Sequence, residues 1–396
     1  MIAIGGVVPN VIYVPETIDE ASSRIAESRQ NGETLAFVGG GTDLGIGSPP
    51  ERLDAVIRTE KLDRIVDHAP SDQILTVEAG VTLARIQAVA GQHGQRLALD
   101  PPLADRKTIG GIVAANAFGP LRTRYGSARD LIIGISIIRA DGVIARGGGK
   151  VVKNVAGFDL PKLMVGSLGT LGMIATATFR LHPLPEASET LLIAKRKAGA
   201  IRKLFADIRQ AQLEVAAAVA ITAGATFDVA VRFEGFRAGV VEQRQRLLEL
   251  VGDCDLLEIG DAQNFWQRHD EIRTTAPLRL KLAALPTAIE MLSNSVIPAI
   301  AGSLQKLDFI WYPMLGLGFL TGTPAVDEKT AAAIRAARET LTPAGGSLTI
   351  EVASPAIRQL AGSWGDASAA LPLMRAMKER FDPQRRLAPG RFVGGI

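Results

Sequence analysis

Three glycine-dense segments limit the folds open to this chain more than any other feature. They are "VGGGTDLG" (38–45), "TIGGIVAAN" (108–116) and "GGGKVVKNVAGFDLPKLMVGSLGTLGMI" (147–174). Glycine lacks a Cβ, so such loops let other groups approach the main chain closely and accept positive φ. Neither common nucleotide fingerprint is present. No Lys-Ser or Lys-Thr closes a Walker loop, and G-x-G-x-x-G counted from Gly39 or Gly147 ends on Leu44 or Val152. A nest of amides at Gly39, Gly40 and Gly41, with the Thr42 hydroxyl, still suits a pyrophosphate; a tight turn explains the same residues. Thr108-Ile109-Gly110-Gly111 opens a short apolar helical stretch whose first N–H groups would face the same anion. Gly166, Gly169 and Gly172 recur every third residue, which suits a winding loop rather than one helix face. A turn accounts for any one segment. Three of them, about 60 residues apart, favour a large nucleotide cofactor.

The chain's 396 residues, 47% of them hydrophobic, support two or more lobes. The entry reads β-α-β: a β-prone run at 11–14, a helix opened by Thr17 and Glu20 as a capping box, and a strand at 35–38. Leu53, Ala55 and Ile57 alternate with their neighbours, as do residues 173–181, which predicts strands buried on one face. Strand 74–80 precedes a helix at about 83–90 that Gly91 and Gly94 end. "LIIGISIIRADGVIARGG" predicts a hairpin in which Asp141-Gly142 supplies two positive-φ positions. "HPLPE" breaks the pattern and sets a boundary, giving domains 1–185 and 186–370 and a tail at 371–396. The second lobe mixes helices (about 198–212, 240–251, 327–341) with strands (about 227–236, 279–285, 309–312, 347–352), and the tail opens on a helix at 371–381. The aromatic cluster "FIWYPMLGLGFLTG" is expected to pack in a core.

Composition removes several function classes. The 44 basic and 41 acidic side chains leave +3, with no basic tract interleaved with aromatics, so no nucleic-acid partner is expected. Cys254 is the single cysteine, which excludes an internal disulfide and a cysteine-built zinc or iron–sulfur site within one chain. No apolar window is long enough to span a bilayer, and the first charge, Glu16, leaves the start without a basic leader. The expected location is cytoplasmic, with peripheral docking on the inner membrane through partners left open.

The order "VGGGTDLG", "TIGGIVAAN", "RYGSARDLIIG", "VVKNVAGFDLPKLMVGSLGTLGMI" and the closing "LAPGRF" resembles the FAD-binding flavoproteins of the vanillyl-alcohol-oxidase (PCMH) type. Within them it is similar to the E subunit of bacterial glycolate oxidase. The resemblance is dense over 9–185, thin in the middle lobe and strong again over the tail. It implies an α+β fold: a two-subdomain PCMH-type FAD-binding domain, an α+β cap lobe, and a tail returning to the FAD domain. It also implies that Gly39, Gly40, Gly41, Thr42 and Asp43 hold the FAD pyrophosphate. Asp100, Pro101, Pro102, Thr108, Ile109, Gly110 and Gly111 would line the ribityl and pyrophosphate from the other side, with Asn116 nearby. Gly169, Gly172 and Ile174 would meet the adenosine half. Two departures stand out: Leu168 replaces a glutamate usual in the third block, and Ala388 replaces the asparagine of L-N-P-G-R. His68, His93, His182 and His269 lie outside the glycine loop and Cys254 in the second lobe, so non-covalent FAD is expected.

Oxidising a 2-hydroxy acid needs a hydride acceptor, a base for the hydroxyl proton and a cation for the carboxylate. The D-type catalytic subunit of the resembled complex carries an H-x-H pair; this chain has none. "FWQRHDEIR" predicts a helix with His269, Asp270 and Glu271 on a solvated face. Arg122, Arg124, Tyr125 and Lys153-Asn154 are candidates near the flavin, against the plainer account that they offset the phosphates or face solvent. The catalytic residues remain unassigned. The resemblance implies a flavoprotein subunit passing electrons between a D-type catalytic flavin subunit and an iron–sulfur partner, with a small 2-hydroxy acid as the complex's substrate. A non-catalytic assembly subunit and a stand-alone FAD-linked alcohol dehydrogenase are the alternatives.

Overall fold

The computed structural model describes residues 2–150, 159–252, 256–257, 260–366 and 369–396. Lys153, Asn154 and the rest of 151–158 in the third glycine segment, together with Cys254, lie outside the described residues. The chain forms two compact units. One comprises Met1–Gly119, Gly126–Leu184 and Asp366–Ile396; the other comprises Pro120–Tyr125 and Pro185–Gly365.

The first unit opens on a three-stranded parallel sheet with Ala55–Arg58 between Val11–Tyr13 and Leu35–Val38. Helix Ile18–Gln30 starts where Thr17 Oγ1 accepts the Glu20 N–H at 3.1 Å, while the Glu20 carboxylate accepts the Glu16 N–H at 2.9 Å, one residue ahead of the cap. Ala55, Val56 and Ile57 are all buried, against the expected alternation. The cause is that both faces of a parallel sheet are covered. Ala55 and Ile57 pack with Ala21 and Ile25 of the helix, and Val56 packs with Ile4, Val38 and Ala388.

A five-stranded antiparallel sheet follows, ordered Ile65–Ala69, Ile74–Glu78, Met173–Arg180, Ile132–Ile138, Ile144–Gly148. Met173–Arg180 lies at its centre and is buried on both faces for most of its length, again unlike the half-buried expectation. The Ile132–Ile138/Ile144–Gly148 hairpin is present, but its turn differs from the prediction. Ile138 pairs with Ile144, so five residues connect the strands, and only Gly142 of the Asp141-Gly142 pair takes positive φ, at 85°. Asp141 instead accepts the Val143 N–H at 3.1 Å through its carboxylate, an Asx-type bond that needs no left-handed backbone.

The tail is bound into this unit. Leu35 N–H donates to the Arg386 carbonyl at 2.8 Å, and Ala388 N–H donates to the Leu35 carbonyl at 2.7 Å. Beneath it Lys378 and Asp382, with 3% and 0% side-chain exposure, form an ion pair at 2.8 Å. The Lys378 ammonium also donates to the carbonyls of Thr170 and Leu387 at 2.8 and 2.9 Å, which ties the tail to the third glycine segment. Burial pulls the Lys378 pKa down while Asp382 opposes it.

The second unit is an eight-stranded antiparallel sheet, ordered Leu256–Leu257, Ala187–Arg196, Thr226–Gly235, Ala217–Ala223, Leu304–Tyr312, Leu317–Pro324, Leu278–Ala283, Ser347–Val352. Helices Ala198–Gln210, Arg237–Val251 and Asp327–Leu341 supply Ile201, Phe205, Val240, Ile334 and Leu341 to a core over one face. Phe309 and Trp311 point into that core, and Tyr312 is also fully buried.

Candidate functional site

A cleft lies within the first unit, where all three glycine segments meet. Gly39, Gly40, Gly41, Thr42 and Asp43 form one wall; Thr108, Gly110 and Gly111 form another; Gly169, Gly172 and Ile174 close it. Asp100, Pro101, Pro102, Ile109 and Asn116 do not line it. Ile109 is fully buried, Pro101 and Pro102 are buried, and the Asp100 carbonyl sits where a Cβ on Gly119 would lie, at 1.9 Å. Asn116 ends the helix Ile109–Ala115 in a left-handed conformation, φ 48°.

Packing explains two of the glycines in the first loop. A Cβ on Gly39 would stand 2.0 Å from Thr108 Oγ1, and one on Gly40 would stand 1.7 Å from the Arg106 carbonyl oxygen. The loop is bare so that it can lie against residues 106–108. Gly41 then turns the chain at φ 72°. The result is a row of donors: the backbone N–H groups of Gly39, Gly40, Gly41 and Thr42 meet no acceptor among the described residues. Such groups are rare unless solvent or a ligand takes them.

The start of the 109–115 helix behaves differently from the expectation. Ile109 N–H donates to the Val81 carbonyl and Gly110 N–H to the Ala79 carbonyl, both at 2.8 Å, while Gly111 N–H meets Thr108 Oγ1 at 3.4 Å. Its first amides are spent on the neighbouring segment and the cap, so this terminus anchors the wall rather than offering donors to an anion. Gly110 serves that docking, since a Cβ there would be 2.8 Å from that of Ala79.

Two cations on the cleft wall escaped the sequence reading. Lys107, 6% exposed, donates to the Asp43 carboxylate and to Thr42 Oγ1, the latter at 3.2 Å. Arg391, also 6% exposed, donates to the Leu44 carbonyl at 3.0 Å. Nothing in "DRKTIGG" or "APGRF" marks these two basic residues apart from surface ones. Leu168, at φ 53°, presents an alkyl group rather than a carboxylate to the cleft. Ala388 stands outside the lining, buried under the parallel sheet at φ 45°.

Residues 9–148 match the family described as an FAD binding domain. They form an FAD-binding domain. Glycolate oxidase subunit GlcE of Escherichia coli (strain K12) is 33% identical over 237 residues, covering 59% of this chain and 63% of that protein. Glycolate oxidase subunit GlcD of Bacillus subtilis (strain 168) is 34% identical over 206 residues, covering 52% of this chain and 44% of that protein. The matched regions therefore span about half the length of these curated relatives. The solved structure of p-cresol methylhydroxylase with substrate bound is similar over 96% of this chain and 88% of its own, at TM-score 0.76 and 15% identity, which establishes the shared fold. The donor set suits FAD: a cradle that side chains would fill, amides without acceptors, and two cations beside them.

The other described sequence candidates fall outside the FAD-binding domain's cleft. Arg122, Arg124 and Tyr125 belong to the second unit, where Arg124 donates to the Glu234 carbonyl at 2.6 Å and pairs with Glu214 at 3.1 Å. His68 and His93 pack edge to face at 4.9 Å, and His182 pairs with Arg96 in a short two-stranded ladder. His269 corrects the expectation of a solvated face. On helix Gly260–Thr275, Asp270 faces outward, but His269 is 1% exposed, with Nε2 2.6 Å from the Tyr312 hydroxyl and Nδ1 2.8 Å from Asp270 Oδ1. Successive helix residues point about 100° apart, so one can be wet and the next sealed. Burial pushes the imidazole pKa down, against Asp270, and so favours the neutral ring. Among the described residues no three side chains form a metal site, and no helix is long and apolar enough to cross a membrane.

Proposed function

We propose that this chain is an FAD-dependent oxidoreductase, the flavoprotein subunit of a complex that oxidises glycolate or a related 2-hydroxy acid. The observation that carries the reading is the row of four N–H groups from Gly39 to Thr42, without acceptors among the described residues, on the wall of the FAD-binding domain's cleft. In this reading those groups hold the diphosphate, and Gly110 and Gly111 let it approach the opposite wall. Gly169, Gly172 and Ile174 flank the adenosine half. The cofactor is held without a covalent bond in this reading: among the described residues no histidine lines the cleft, and the single cysteine, Cys254, is far along the sequence from the glycine segments. Bound FAD supplies a two-electron acceptor.

The subunit role rests on the sequence. No H-x-H pair is present to take the substrate proton, and a single cysteine cannot hold an iron–sulfur cluster. Substrate dehydrogenation and onward transfer then fall to a D-type flavin partner and an iron–sulfur partner, with this chain between them. Similarity to glycolate oxidase subunit GlcE supports that assignment. Peripheral membrane association through those partners belongs to the same proposal.

An absorption spectrum of the purified chain tests the cofactor assignment: flavin bands are expected, with FAD released intact on denaturation. A colourless chain that refuses added FAD overturns it. Mixing with the D-type partner and glycolate is expected to bleach this chain's flavin. Flavin that stays oxidised during turnover makes the chain an assembly subunit. Bleaching of the isolated chain by an alcohol makes it a stand-alone dehydrogenase.

A further inference from the structure

Lys107 reaches the cleft from a fixed backbone: its N–H donates to the Leu103 carbonyl at 2.8 Å and its carbonyl accepts the Leu83 N–H at 2.9 Å. The side chain is 7% exposed and Asp43 opposite is 17% exposed. Its ammonium is held by Asp43 and Thr42, so it sits at the end of the row of amides that lack acceptors among the described residues. Stability is a poor account of this arrangement by itself, because taking both charges out of water offsets most of their attraction. Among the described residues the formal charges lining the cleft are Lys107, Arg391 and Asp43, a net of one positive charge. A dinucleotide diphosphate brings one negative charge per phosphate, so the wall remains short of positive charge while Asp43 is ionised.

We infer that Lys107 is a ligand of the cofactor's diphosphate, and that Asp43 orients its ammonium while weakening its field. The inference rests on the FAD reading above. It separates this lysine from a mere clip between residues 43 and 107, because the two roles give opposite results when Asp43 loses its charge.

Equilibrium binding to the apoprotein decides, using FAD, ADP (diphosphate without flavin) and riboflavin (flavin without phosphate) as probes. Lys107→Met is expected to lose about tenfold to a hundredfold in affinity for FAD and ADP, the usual worth of a charge-assisted hydrogen bond. Riboflavin affinity should not change, and the dependence of ADP binding on salt should flatten. Asp43→Asn should bind ADP as tightly as the wild type or more tightly. If Lys107→Met is unfolded by circular dichroism, Lys107→Gln in the Asp43→Asn background, compared with Asp43→Asn alone, carries the same expected loss. The inference is overturned if Lys107→Met binds FAD and ADP like the wild type. It is also overturned if Asp43→Asn weakens ADP as much as Lys107→Met does and the double variant recovers wild-type binding. A wild-type chain that binds neither FAD nor ADP removes the cofactor reading too, so the two failures are distinct.

Discussion

His269 in the eight-stranded unit and Lys107 in the FAD-binding domain are both nearly out of reach of water, at 1% and 6% exposure. Their surroundings differ. Both imidazole nitrogens have partners within their own unit, Tyr312 and Asp270. Beside Lys107, four consecutive backbone donors meet no acceptor among the described residues. Burial by itself therefore says little about function, since polar groups inside proteins are normally satisfied. A run of unspent donors along a cleft is the more informative signal. Four further substitutions test the contrast. All three tryptophans (Trp266, Trp311, Trp364) lie in the second unit, so their fluorescence follows that unit alone.

The largest effect is expected at Lys378. Lys378→Met strands the buried Asp382 carboxylate and unties the tail from Thr170, costing about 3–5 kcal/mol. Chemical unfolding followed by bound-flavin signal should show it, with the tryptophan transition unmoved. Gly40→Ala is expected next: a Cβ 1.7 Å from the Arg106 oxygen forces the loop off its wall. A shift of about 1–3 kcal/mol would lower FAD affinity by about tenfold to a hundredfold. Full FAD affinity in this variant would break the contrast on its cleft side.

His269→Leu tests the sealed side. Removing the imidazole from the Tyr312 hydroxyl, which keeps Arg273 Nη1 at 3.3 Å, should cost the second unit about 0.5–1.5 kcal/mol in urea, read by tryptophan fluorescence, with FAD affinity intact. Loss of flavin would show that the cluster does more than pack. The same residue sets a pH dependence. Its folded pKa lies below the ordinary 6.5, so as pH falls through 6.5 the unfolded chain takes up a proton that the folded unit refuses. Stability is then lost toward acid, by up to about 1.4 kcal/mol per pH unit, and His269→Leu should remove that share of the slope. The smallest effect belongs to Ala388→Gly, which relieves a left-handed alanine at φ 45° under the cleft wall. A gain of about 0.5 kcal/mol is expected in flavin-monitored unfolding, the relief being partly offset by glycine's unfolded-state entropy.

Local chemistry made much of the fold readable. The Thr17 cap, helices Asp327–Leu341 and Leu371–Phe381, and the strand before the glycine loop follow from residues within a turn of each other. Strand Ala217–Ala223 carries no such signal. Alanine favours helix, yet here small side chains fill the middle of a wide sheet, between Thr226–Gly235 and Leu304–Tyr312. Asp141 misled for a related reason: "DG" allows a two-residue turn but does not require one, and strand pairing chose a longer loop.

The sequence by itself determined where Cβ atoms are missing, and hence where backbone can approach backbone or ligand. That is a property of single residues, and it marks the Gly39–Gly41, Gly110–Gly111 and Gly169–Gly172 walls. Only the tertiary structure decided which donors at those walls are still available. Saturation depends on acceptors far along the chain: carbonyls at Ala79 and Val81 consume the amides of Gly110 and Ile109, and none among the described residues reaches those of residues 39–42. The same holds for charge, because a lysine becomes part of a site only when folding sets an aspartate and a row of bare amides beside it.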